Sequence, residues 1–164
     1  MRIKFFAVGG TIDKIYFDDL SRYEIGESNI NDILKDARVN FKSDVSSLFK
    51  KDSLDMTDQD RLTVHKIVKS EINDKITITH GTDTMIETAK QLESIKNKTI
   101  VLTGAMEPAK FRSSDAVFNL GLAVAAVQTL HHGVYIVISG RIFKPDNVKK
   151  NRTLKIFETK THTT

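Results

Sequence analysis

Cysteine is absent from this chain of 164 residues. Its absence excludes a disulfide scaffold, a thiolate metal site and a cysteine nucleophile. The sequence also lacks any window approaching the roughly 18 apolar residues that a membrane-spanning helix needs. The first ten residues, MRIKFFAVGG, hold an apolar run too short for the core of a signal peptide. We therefore expect a cytoplasmic protein with no membrane partner.

The basic charge is concentrated near the carboxyl terminus. The chain has a formal net charge of +4, and residues 141–164 hold seven basic and two acidic residues. No aromatic interleaving or nucleic-acid motif accompanies this charge, so we expect no nucleic-acid partner. We interpret the segment as a solvated and partly mobile tail. Hydrophobic residues make up 40% of the chain and charged residues 28%, which indicates one ordinary globular domain over residues 1–164.

Two hydrophobic periods alternate along the chain. Helix-period segments separate short β-rich runs, which predicts an α/β fold. Crossover connections of this kind give a three-layer, doubly wound and largely parallel sheet. The predicted strands are Ile3–Val8, Val45–Phe49, Ile76–Thr79, Thr99–Leu102 and Val134–Ile138; the predicted helices are Asn31–Arg38, Thr57–Ser70, Asp83–Ile95 and Ser114–Leu130.

Glycine stands beside a hydroxyl or carboxylate after three of these strands. The segments are Gly9–Asp13, His80–Thr84 and Thr103–Met106. Ligands of open α/β sheets bind outside the carboxyl ends of the strands. Because cysteine and a G-x-S-x-G elbow are absent, threonine is the candidate nucleophile at such a site. Threonine needs a base and oxyanion donors, and a lysine held by a carboxylate can act as the base.

The same segments resemble the bacterial-type L-asparaginase family. The resemblance is carried by Gly9-Gly10-Thr11-Ile12, Asp52-Ser53 followed by Met56, Thr79-His80-Gly81-Thr82-Asp83-Thr84-Met85, Thr103-Gly104-Ala105-Met106-x-Pro108 and Phe118-Asn119-Leu120. They occur in the family's order and at about its spacing, over essentially the whole chain. Only the family's amino-terminal domain is matched, so we expect an asparaginase-like amino-terminal domain without the carboxyl-terminal domain.

The resemblance implies five catalytic residues. Thr11 would attack the side-chain amide of asparagine or a related small amide, giving an acyl-enzyme and ammonia, and water would then release aspartate. Tyr23 would assist from a lid that carries Asp13, Lys14, Asp18 and Asp19. Thr82, Asp83 and Lys150 would form a threonine–lysine–aspartate set, with Lys149 as the rival lysine. The implied substrate-binding residues are Gly10, Asp52, Ser53, Gly81, Thr82, Asp83 and Ala105.

Several alternatives stay open at this point. The resemblance implies no cofactor, and the histidine spacings match no metal cage. A homodimer is expected, since the family forms intimate dimers in which the missing domain completes the neighbouring site. An amidohydrolase is the leading hypothesis, with weak or altered activity expected. A non-catalytic module that binds asparagine or aspartate, and a protein that retains only the fold, are the alternatives.

Overall fold

A six-stranded sheet forms the centre of the structure, a computed structural model that describes residues 1–17 and 22–160. The strand order is β4–β1–β5–β6–β7–β8; the first five strands are parallel and β8 is antiparallel. The elements are β1 (Arg2–Gly9), β2 (Lys14–Phe17), β3 (Arg22–Ile25), α1 (Ile30–Asp36), β4 (Lys42–Lys51), α2 (Asp58–Ser70), β5 (Lys75–Thr79), α3 (Met85–Leu92), β6 (Thr99–Thr103), α4 (Ala116–Thr129), β7 (Gly133–Ile138), β8 (Arg141–Phe143), β9 (Val148–Asn151) and β10 (Ile156–Thr159).

The alternation of side chains along each strand divides the core into two layers. Phe6 and Val8 of β1 pack toward α2 and α3, while Phe5 and Ala7 pack toward α1 and α4. Burial on both faces explains why the central strands are nearly continuous apolar runs. The three-layer, doubly wound α/β architecture expected from the sequence is confirmed.

All five strands and all four helices predicted from periodicity are present, with ends that differ by a few residues. Helix α2 begins where its sequence signal stands, because Thr57 and Asp60 form a reciprocal capping box. The sequence analysis missed the three-residue edge strand β8 and two small antiparallel hairpins, β2–β3 and β9–β10. Their strands of four residues are too short and too polar to stand out as periodic patterns.

The strand order reverses between β1 and β5. The chain leaves β1 toward β4 on one side and returns to β5 on the other, before continuing to β6 and β7. Such a reversal opens a crevice at the carboxyl ends of the two strands, where α/β proteins bind ligands. The loops that follow β1 and β5 are therefore the ones that form a site.

Helices α3 and α4 lie on opposite faces of the sheet. The connections β5–α3–β6 and β6–α4–β7 both advance in the same direction across the sheet. Two such crossovers on opposite faces have opposite hands, so one departs from the right-handed rule. The consequence is that the amino-terminal turn of α4 lies on the α1 face, above the ends of β6 and β7.

The basic carboxyl-terminal segment folds into defined strands through residue 159, which corrects its interpretation as a partly mobile tail, while most of its basic side chains are exposed to solvent as expected. Hairpin β9–β10 buries Val148 and Phe157 in the core beside α3. Lys160 donates to the carbonyl of Asp146 at 2.9 Å. Apolar anchors at alternate positions of the hairpin offset the cost of ordering a highly charged segment. Residues 161–164 lie outside the described residues.

Candidate active site at the strand reversal

Gly10 and Gly81 bring the loops after β1 and β5 into backbone contact. Gly10 has φ +94° and ψ −174°, a conformation open to glycine. A Cβ atom on Gly10 would overlap the Cα of Gly81, and one on Gly81 would lie 2.5 Å from Oγ of Ser53. Because each threonine directly follows one of these glycines, Thr11 and Thr82 line the same cavity.

That cavity has a volume of about 280 Å³. The side chain of Thr82 is almost fully buried, while that of Thr11 is half-buried at the start of a short 3-10 helix, Thr11–Asp13. Hydroxyls, a carboxylate and ammonium groups converge here on a volume suited to a small metabolite. The lining residues are Thr11, Thr82, Asp83, Met106, Lys150, Arg152 and Lys155.

Lys150 joins Thr82 to Asp83. Its ammonium donates to Oγ1 of Thr82 and to Oδ1 of Asp83, each at 2.8 Å. The Lys150 side chain is 12% exposed and that of Asp83 is 31% exposed. The cluster is therefore a partly desolvated threonine–lysine–aspartate set, in which the carboxylate fixes the lysine against the hydroxyl.

The pleat of β9 decides which of the two adjacent lysines reaches the cavity. Val148 points into the core, so Lys150, two residues later, lies on the same side of the strand. Lys149 points the opposite way and pairs with Glu158 at 3.4 Å. Of the two rival lysines, the geometry brings Lys150 to Thr82.

Ser53 and Asp52 lie beside this cavity rather than on its wall. Ser53 is buried, and its Oγ accepts from the backbone N–H of Asp83 at 3.3 Å. Asp52 forms an ion pair with Lys14 at 2.7 Å and accepts from the N–H of Leu54. Partial burial favours the neutral form of Asp52, but the bonds from Lys14 and the backbone outweigh it and lower the pKa of the carboxyl.

Tyr23 does not line the cavity of Thr11 in this structure, and its expected assistance to Thr11 stays a prediction. It contributes instead to a neighbouring cavity of about 390 Å³ that also contacts Asp52. Its ring packs on Tyr16 across the β2–β3 hairpin, with centroids 5.3 Å apart, and meets the edge of Phe111 at 6.0 Å. The cross-strand pairing of β2 and β3 sets this position, and no pattern in the sequence predicted that pairing.

The structure describes two polar side chains of the expected lid, Asp13 and Lys14, and both have partners in the fold. Asp13 is buried and accepts from the N–H of Asn29 at 2.9 Å. Burial raises the pKa of Asp13, while the bonds from Asn29 oppose that shift. Lys14 is held by its ion pair with Asp52. Asp18 and Asp19 lie outside the described residues, and the lid stays a prediction.

The loop after β6 supplies Met106 to the cavity wall, while the predicted substrate-binding residue Ala105 is buried in the core on the α4 face. The backbone N–H groups of Met106 and Glu107 donate to Asp115 at 2.9 and 3.2 Å. Buried Asn119 of α4 donates to the carbonyl of Gly104 at 2.9 Å and accepts from the N–H of Ser139 at 2.8 Å. The start of α4 therefore fixes the ends of β6 and β7.

His80 supports the loop that carries Thr82. The carbonyl of Gly81 can only accept, so Nδ1–H of His80 donates to it at 2.8 Å, and the Thr88 hydroxyl donates to Nε2 at 2.8 Å. Complete burial lowers the pKa of His80 to about 4. The ring is therefore neutral at physiological pH. Among residues 1–17 and 22–160, no cluster of three or more potential metal ligands is present.

Two cationic side chains of the cavity were missed by the sequence analysis. Arg152 and Lys155 follow Lys150 in the turn between β9 and β10, and both line the cavity. Nε of Arg152 lies 3.8 Å from Oδ1 of Asp83. Their only signal was the run of basic residues after Lys149, which by itself is equally typical of a solvated surface.

Fold and cavity define an α/β protein with a threonine–lysine–aspartate cluster at the strand reversal. The family model for the asparaginase amino-terminal domain matches residues 2–163. A probable periplasmic L-asparaginase of Haemophilus influenzae is 31% identical over 94% of the chain and 47% of its own length. L-asparaginase 2 of Escherichia coli is 36% identical over 63% of the chain and 32% of its own length.

Solved structures agree with these sequence matches. The thermostable L-asparaginase from Thermococcus kodakarensis has a TM-score of 0.84 at 27% identity, covering 97% of this chain and 51% of its own. A probable cytoplasmic L-asparaginase from Campylobacter jejuni has a TM-score of 0.80 at 31% identity, covering 96% and 51%. The chain therefore belongs to the asparaginase family. It spans about half or less of the length of these relatives. In the part of the chain that the structure describes, no helix is long and apolar enough to span a membrane.

Proposed function

We propose that the chain carries an amidohydrolase site that hydrolyses L-asparagine or a related small amide. The observation that carries this proposal is the contact of Lys150 with both Thr82 and Asp83 in the cavity that Thr11 also lines. A family that includes named L-asparaginases supports the reaction class.

In the proposed reaction, Oγ1 of Thr11 attacks the amide carbon and the C–N bond breaks. The hydroxyl proton of Thr11 passes to the leaving nitrogen, so that ammonia departs and an ester remains on Thr11. Water then attacks the ester, which restores the hydroxyl and releases the carboxylic acid. Thr82, polarised by Lys150, lies next to the reacting group, and the N–H groups of this loop stabilise the developing oxyanion.

Replacement of Thr11 by valine tests this assignment. The variant removes the hydroxyl at nearly constant shape, so we expect ammonia release to fall at least about 10³-fold, in keeping with the loss of a nucleophile. Thr63→Val is the matched control, since Thr63 lies on α2, where its hydroxyl donates to the carbonyl of Gln59. Undiminished turnover by the Thr11 variant would overturn the proposed nucleophile.

A binding module without turnover is the second candidate, and the position of Tyr23 favours it. The side chain expected to assist Thr11 lines the neighbouring cavity. This alternative predicts that aspartate raises the melting temperature while prolonged incubation of asparagine yields no aspartate.

We include in the proposal the cytoplasmic location named for the Campylobacter relative and a homodimeric assembly.

A further inference from the structure

The short 3-10 helix that begins with Thr11 is attached on both sides to one segment of the chain, the residues at the end of β4. Before Thr11, the backbone N–H of Gly10 donates to the carbonyl of Lys51 at 3.0 Å. After the helix, the ammonium of Lys14 lies 2.7 Å from Oδ2 of Asp52. The first contact uses only backbone atoms, whereas the second requires a cation and a carboxylate at these two positions.

We propose that the ion pair of Lys14 and Asp52 positions Thr11 against the loop of Thr82 for the reaction. Both are positioning residues in this proposal, since neither is among the described residues that line the cavity of Thr11. The inference rests on the proposed amide hydrolysis and deepens it by naming two residues that support the site. It differs from the role that the resemblance implies for Asp52, which is contact with the substrate.

The carboxylate of Asp52 is held through both of its oxygens. Oδ2 meets the ammonium of Lys14, and Oδ1 accepts from the backbone N–H of Leu54 at 3.2 Å. Asp52 thereby caps the short 3-10 helix Ser53–Asp55. Charge-assisted bonds are shorter and stronger than neutral ones, so the cation helps to fix the orientation of this cap. The cap in turn sets the position of Ser53, the first residue of the helix.

Ser53 connects this cap to the loop after β5. Its Oγ accepts from the N–H of Asp83 at 3.3 Å, and its carbonyl accepts from the hydroxyl of Thr84 at 2.7 Å. Ser53 is buried, and close packing leaves its neighbours little room to move independently. A shift of Asp52 is therefore passed through Ser53 to Asp83. The carboxylate of Asp83 binds Lys150, so the shift reaches the threonine–lysine–aspartate cluster.

Partial burial makes this ion pair suited to a positioning role. The side chains of Lys14 and Asp52 are 28% and 29% exposed, whereas a fully exposed pair is screened by water and contributes little. Burial alone would raise the pKa of Asp52, but the bonds from Lys14 and the backbone lower it, so the carboxylate is charged at neutral pH. Removal of either charge leaves the other partly desolvated without its partner.

Two variants that remove one charge at nearly constant shape test the pair. Lys14→Met keeps the length of the side chain, and Asp52→Asn keeps an acceptor for the N–H of Leu54. We expect each to lower kcat for ammonia release from L-asparagine about tenfold, which is a rise of about 1.4 kcal/mol in the barrier. KM should change less than about threefold, because the pair does not line the cavity. The double variant should be no slower than either single variant, since all three lose the same interaction.

Lys4 and Asp44 supply the matched control. Their ion pair, at 2.8 Å, joins the same two strands, β1 and β4, within the sheet rather than at its carboxyl edge. Asp44→Asn makes the same chemical change there, and we expect kcat to stay within about twofold of the wild-type value. A pair with a purely structural role would lower the denaturant midpoint and leave kcat unchanged. That outcome for Lys14→Met overturns the proposal.

A measurement without turnover separates this inference from the proposed function. Backbone hydrogen exchange at Asp83 reports the bond from its N–H to Ser53. We expect this exchange to be about tenfold faster in Lys14→Met and unchanged in Asp44→Asn. If the wild-type chain releases no ammonia from L-asparagine, the proposed hydrolysis fails, while faster exchange at Asp83 still supports the positioning. Unchanged exchange at Asp83, or a loss of kcat in the double variant equal to the product of the two single losses, overturns the inference.

Discussion

Replacement of Gly10 by alanine should damage stability and activity together, because this glycine joins the two loops of the site. Its φ of +94° is strained for alanine, at a cost of about 1–3 kcal/mol. The new Cβ would overlap backbone atoms of Gly81, and overpacking against rigid atoms costs about 1–3 kcal/mol more. We therefore expect a loss of at least about 3 kcal/mol in the free energy of unfolding. For a domain of this size that corresponds to a melting temperature lower by about 6–12 °C.

Relief of the overlap requires the loops to separate, which moves Thr11 away from Thr82. A displacement of about 1 Å at a reacting group costs about 100-fold in rate. Ammonia release per folded molecule should therefore fall about 100-fold. Denaturant unfolding and ammonia release measure the two effects on the same sample.

Gly121→Ala is the matched control for this variant. Gly121 lies in α4, and no atom lies within 4 Å of the Cβ that alanine would add. Alanine favours the helix by about 1 kcal/mol over glycine, so this variant should be neutral or more stable. The reasoning is refuted if Gly10→Ala unfolds at the wild-type denaturant concentration and keeps its turnover.

Two further predictions concern the supports of the site. The unfolded chain binds a proton at His80 near pH 6.5 and the folded chain only near pH 4, so stability falls as pH falls through this window, by about 3 kcal/mol in all. Denaturant midpoints measured from pH 7 to pH 4 should therefore drop more for the wild type than for His80→Gln, and equal drops would contradict the assignment. Asn119→Leu leaves the buried carbonyl of Gly104 without its partner, while the N–H of Ser139 lies at an exposed residue and can turn to water. At about 1–3 kcal/mol for the buried carbonyl, we expect the melting temperature to fall by several degrees. A melting temperature equal to that of the wild type would show that this carbonyl finds another partner.

The overall architecture was predictable because it depends on local pattern. Strands such as Val134–Ile138 are buried through consecutive apolar side chains, and α2 has its start signal in Thr57 and Asp60. The glycine–threonine segments after β1 and β5 also indicated where the site lies, because the carboxyl ends of parallel strands meet at one edge of the sheet. These predictions depend on residues that are close in sequence, and the regular geometry of helices and strands determines how such residues lie relative to one another.

The positions of side chains that the resemblance assigned to the site were harder to predict than the order of the strands and helices. Tyr23 was expected beside Thr11, but the pairing of β2 with β3 directs it to Tyr16 and Phe111. Asp13 was expected in a polar lid, but Asn29, 16 residues later, buries and binds it. Both outcomes depend on which distant segment a side chain meets, and a local sequence pattern does not contain that information.

The basic carboxyl-terminal segment shows most clearly which properties follow from the sequence and which depend on tertiary contacts. Sequence alone determined that residues after Arg141 carry a surplus of positive charge, since charge is a property of composition. Only the tertiary structure decided what that charge does. Burial of Val148 and Phe157 folds the segment back onto α3 and aims Lys150 at Thr82, while the turn that follows brings Arg152 to Asp83. The physical reason is that apolar contacts with a distant helix set the register of the hairpin, and the register determines which cations face the cavity.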